Sequence, residues 1–158
     1  MGPEAEPGPR CRRGTLNSLP GLRQGGFRIT SPVSPNYNCV AWAAGETHRW
    51  WDALPEQGAY WPPGAPPAVS LGSLTLVFQA LGYEECQSAA TQAGFEKIAL
   101  YADQQGSPTH VARQLPSGSW TSKLGALEDI EHASLESLEG TNYGKVVRVM
   151  RRSIRPHP

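Results

Sequence analysis

Leu71, Leu74, Val77, Phe78 and Leu81 recur at spacings of three and four, which places them on one face of a helix over residues 70–81. Ser70 suits its cap and Gly82 the left-handed residue beyond its end. Upstream, Val40, Ala41, Trp42, Ala43 and Ala44 are apolar all round. That pattern predicts a buried helix over residues 39–50, capped by Asn36 or Asn38. Beyond Gly82 the period changes to two. Strands are predicted over 96–102, 109–115, 119–124 and 143–151, with "QQGSP" and "PSG" as turns. Residues 128–138 read as a short acidic helix. Two helices followed by an antiparallel sheet, with one helix interrupting it, make an α+β arrangement. In it the buried helix carrying Cys39 packs on the sheet.

The "PSG" turn pairs residues whose numbers sum to 234 or 235. Ser122 is then the diagonal neighbour of His110 on one face in the first register, and Lys123 in the second. Residues 1–26 are rich in Pro, Gly and Arg without periodicity and read as a disordered arm. Residues 27–153 form the domain and 154–158 a tail. Residues 51–68 hold Pro55, Pro62, Pro63, Pro66 and Pro67, too many for a helix or an inner strand. Trp51, Tyr60 and Trp61 make this loop more than solvated coil.

Composition narrows the partners. The 158 residues carry 14 basic and 14 acidic side chains and no formal net charge, which gives no reason to expect specific nucleic-acid binding or an anionic membrane surface. No apolar run reaches the ~20 residues of a membrane helix. Three cysteines, an odd and sparse set, argue against a disulfide framework and for a reducing compartment. With no apolar stretch after the N-terminal arginines, a cytoplasmic location is expected.

Cys39 falls at the predicted first turn of a helix, where unpaired amides stabilise a thiolate. A nucleophilic cysteine also needs a base. His48 is too far along the same helix, whereas His110 begins a predicted sheet strand. Cysteine on a helix start followed by histidine on a strand has the form of a papain-like thiol site. The competing reading makes Cys39 a small buried hydrophobe. Cys39, Cys86, His110 and His132 include zinc-ligand types, but no two have the close spacing of a structural zinc site. No metal or other cofactor is expected.

The words "NYNCVAWAAG", "WWDALPEQGAYWPPG", "ALGYEECQ", "KIALYAD", "PTHVARQLPSGSWTSKLG", "DIEH" and "LEGTNYGKVVRVMRR" together resemble a bacterial family known only as a domain of unknown function. The order of Cys helix, His strand and polar strand is distantly similar to papain-like and NlpC/P60-like cysteine hydrolases. That likeness implies a small hydrolase or acyltransferase acting on an amide or ester bond, such as a peptide. Cys39 would be its nucleophile, His110 its base and Ser122 the orienting residue. Asn38, Trp42 and Trp61 would hold the substrate. Ser122 departs from the Asn, Asp or His of such enzymes. The alternative is a non-catalytic protein-binding or regulatory module on the same fold, docking a protein partner.

Overall fold

Strands β1 (Phe27–Ser31), β2 (Glu84–Cys86), β3 (Phe95–Ala102), β4 (Pro108–Gln114), β5 (Trp120–Lys123), β6 (Asp129–His132) and β7 (Lys145–Ser153) join in one sheet. Its order is β1-β6-β5-β4-β3-β7-β2, and every pairing is antiparallel. The computed structural model describes residues 21–22, 26–53, 60–124 and 128–154. Most of the expected arm, and the tail beyond residue 154, lie outside the described residues. Leu22, inside the expected arm, is fully buried against the sheet.

Two α-helices lie wholly within the described residues, α1 (Cys39–Ala43) and α2 (Leu71–Ala80). Helix α2 forms as its periodicity predicts. The Ser70 hydroxyl accepts from the Ser73 amide at 3.0 Å, and Gly82 takes φ +99°. Leu74, Val77 and Phe78 are buried, each contributing roughly 1.5–3 kcal/mol.

Helix α1 is much shorter than the expected 39–50. Gly45 adopts φ +90°, and the Gly45 and Glu46 amides donate back to the Trp42 and Ala41 carbonyls. This left-handed cap closes the helix after little more than one turn.

The expected acidic helix over 128–138 is not formed. Its first part is β6, lying between β5 and β1, and its second a 3-10 turn, Leu135–Leu138. Asp129, Ile130 and His132 are all buried there. The ladder on both sides outweighs the helix propensity of the glutamates. Strands β1 and β2 carry few apolar residues and have no counterpart in the sequence reading.

The core divides at the sheet. Cys39, Val40, Val77 and Phe78 pack with Ile98, Leu100, Val111 and Met150 on the helix-covered face. Ala99, Tyr101, Ala112, Trp120, Ile130 and Tyr143 pack with Leu135 and Leu138 on the other. Alternation along each strand produces this split. The structure is therefore α+β, with α1 lying on β4 and β5.

Candidate functional site

Asn38 builds the start of α1. Its Oδ1 accepts from the Ala41 amide at 3.2 Å and the Trp51 amide at 3.3 Å, and its Nδ2 donates to the Trp51 carbonyl at 2.7 Å. The side chain thus caps the helix and clamps it to the following loop, with its polar atoms engaged by the protein's own backbone. Trp42 Nε1 donates to Thr121 Oγ1 at 3.0 Å, and its carbonyl accepts from Arg113 Nε at 3.3 Å. Trp61 Nε1 donates to the Pro66 carbonyl at 3.0 Å. The cavity beside Trp61, Val40 and Leu74 is about 10 Å³, the space of a single water. The three residues assigned to substrate are held by internal contacts.

Cys39 is fully buried in the helix-covered core. It is disulfide-bonded, with its partner outside the described residues, while Cys86 is free and partly exposed. The odd cysteine count does not exclude one bond, so it no longer argues for a reducing compartment. A sulfur in a disulfide has no thiolate to attack with.

His110 stands on the other face. It pairs across the ladder with Tyr101, and its ring stacks on Tyr143 at 4.4 Å and meets Tyr101 edge-on at 5.4 Å. The next residue, Val111, faces α1. Strand alternation therefore turns His110 away from Cys39, and the sheet separates the proposed nucleophile from the proposed base. Both ring nitrogens of His110 lack a hydrogen-bond partner among the described residues. Burial, and then the nearby His132, hold its pKa well below the usual histidine range.

Ser122 does share the face of His110, because β4 and β5 pair in the register that sums to 234 (Arg113 with Thr121, Gln114 with Trp120). Its hydroxyl goes elsewhere. Ser122 Oγ lies 2.8 Å from His132 Nε2, and His132 Nδ1 lies 2.9 Å from the Ser134 carbonyl. A carbonyl only accepts, so Nδ1 carries the proton and Nε2 accepts from Ser122. Burial lowers the His132 pKa to about 4. Serine, histidine and acceptor stand in the order of a nucleophile, its base and an orienting group. Yet Ser122 and His132 are both buried. The contact is a structural link between β5 and β6. The sequence does not reveal it, because "DIEH" has the character of a helical segment rather than a strand.

A second buried polar group flanks α1. Tyr37 Oη donates to Asp129 Oδ2 at 2.6 Å, and Lys123 Nζ donates to the Ser34 carbonyl at 2.7 Å and lies over the Tyr37 ring at 4.7 Å. Burial, then Asp129, pushes the Tyr37 hydroxyl pKa up. Among the described residues, no three His, Cys, Asp or Glu side chains gather as metal ligands. Nor is any helix there long and apolar enough to cross a membrane.

The class is thus an α+β domain with a seven-stranded antiparallel sheet and helices α1 and α2 on one face. Residues 28–151 match the family described as "Domain of unknown function (DUF7689)", and the chain belongs to that family. No curated protein and no solved structure matches it.

Proposed function

We propose that this chain is a non-catalytic binding module, with Cys39, His110 and Ser122 serving the fold. The observation that carries this reading is the separation of Cys39 and His110 onto opposite faces of the sheet, each fully buried. Helix α1 spans five residues, which leaves little dipole to stabilise a thiolate or an oxyanion. The papain-like hydrolase or acyltransferase needs the thiol and imidazole in contact, and strand alternation opposes that.

The test is alkylation of the native protein by iodoacetamide under mild reduction, followed by peptide mass mapping between about pH 5 and about pH 9. Cys86, free and partly exposed, should be labelled in the native protein. Cys39 should remain unmodified until denaturant is added, whether or not His110→Leu is present. Rapid labelling of Cys39 below neutral pH, abolished by His110→Leu, would establish the hydrolase and overturn the module.

A further inference from the structure

An open groove of about 520 Å³ lies at the end of the sheet where β3 begins and β4 finishes. Its walls include Phe95, Glu96, Arg113, Leu115, Pro116 and Ile154. We infer that this groove binds a peptide segment in which an acidic side chain is flanked by apolar ones, with the carboxylate on Arg113. The inference rests on the binding-module reading and gives it a surface and a ligand class.

Charge in the groove is unbalanced. The Glu96 carboxylate is engaged by the Arg152 guanidinium and by the Tyr83 hydroxyl at 3.1 Å. Arg113 donates from Nε to the Trp42 carbonyl at 3.3 Å, and its guanidinium carbon lies 5.1 Å from the Trp42 ring centre. Among the described residues its two terminal nitrogens have neither a hydrogen-bond acceptor nor an ion-pair partner. The one acid on the wall is thus already matched, and Arg113 supplies the excess positive charge. A guanidinium steadied through Nε and a ring presents its remaining N–H groups in a fixed plane, the geometry that takes a carboxylate bidentately.

The surroundings fit the flanks of such a peptide. Leu115 and Pro116 form the apolar turn into β5, and Ile154 is 52% exposed on the opposite rim, tied by its amide to the Gly94 carbonyl. The volume lies within the ~300–1,000 Å³ of small-ligand sites, enough for a few residues of extended chain.

The probe is N-acetyl-leucyl-glutamyl-leucinamide, titrated into the isotope-labelled full chain and followed by amide chemical shifts. The glutaminyl peptide, which has the same shape without the charge, is the control. The glutamyl peptide should shift amides near residues 92–96 and 113–116 saturably. The glutaminyl peptide should bind at least about tenfold more weakly. Arg113→Gln should lose the same factor. Because Arg113 also supports Trp42, Ile154→Asp serves as a second variant, placing a negative charge on an exposed rim; it too should weaken the glutamyl peptide. Absence of saturable shifts, equal binding of the two peptides, or variants that bind like the parent would each overturn the inference. Failure here leaves Cys39 protected from alkylation, whereas failure of the module reading appears as Cys39 labelling, so the two outcomes are separable.

Discussion

The two faces of the sheet are both buried, but they accommodate polar groups differently. On the helix-covered face, polar side chains cross-link elements. Trp42 reaches Thr121, Arg113 reaches the Trp42 carbonyl, Arg148 reaches Thr75 and Tyr37 reaches Asp129. On the opposite face, burial holds two histidines neutral. His132 uses both nitrogens, while His110 uses neither among the described residues. The cross-links tie α1 to Arg113 of β4 and Thr121 of β5, on the face that His110 does not share. Bonds between elements occur on both faces, the second holding Tyr101 Oη to the Leu135 carbonyl and Gln114 to the Ala89 carbonyl. The second depends on its histidines remaining uncharged.

Acid should separate the faces most strongly. The His132 pKa falls from 6.5 to about 4 on folding, so the folded state disfavours the protonated ring. Its stabilising contribution is fully present above about pH 6.5 and is lost as pH falls toward about 4, a change of about 3 kcal/mol. His110, lowered in the same direction, adds to the loss. Urea unfolding at about pH 7.5 and about pH 4.5 measures it. A flat stability profile over that interval would contradict the neutral-histidine account.

Asn38→Ala probes the helix face. It removes the cap of α1 and both bonds to Trp51, and should cost about 2 kcal/mol at neutral pH with the same dependence on acid as the parent. The shift of the urea midpoint reports the cost. An altered acid profile would show that the two faces are coupled.

The smallest expected effect is His110→Leu. It replaces two buried polar atoms without hydrogen-bond partners by an apolar group of similar size. The variant should be as stable as the parent at neutral pH, or up to about 1 kcal/mol more stable. It should also lose less stability in acid. A loss above about 2 kcal/mol in thermal or urea unfolding would mean that the imidazole makes a bond essential to the fold.

Elements with a strong period were legible in the sequence. Helix α2 and strands β3, β4, β5 and β7 lie within a few residues of their expected positions, because α2 and β3 bury regular apolar stripes and the "QQGSP" and "PSG" turns bound β4 and β5. Strand β6 was not legible. "DIEH" holds one aliphatic residue, and its burial arises from the strands on either side. The start of helix α1 is legible and its end is not, since a glycine such as Gly45 can sit inside a helix as well as end one. The turn narrows the β4–β5 pairing to two registers, of which the structure adopts the one that puts Ser122 on the face of His110. The relation of Cys39 to His110 was not legible, because spacing along a strand tells which residues share a face but not which face a distant helix will cover.

Strand β4 thus carries two interleaved messages. Val111 and Arg113 address α1, while His110, Ala112 and Gln114 address the tyrosine-lined side, where Gln114 bonds the Ala89 carbonyl. Deleting any one residue from the middle of β4 would leave the composition almost unchanged. It would nevertheless deliver part of each message to the wrong reader, setting a histidine against α1 and a valine among the tyrosines. Substitutions in this strand act one address at a time, whereas a frame slip would scramble both.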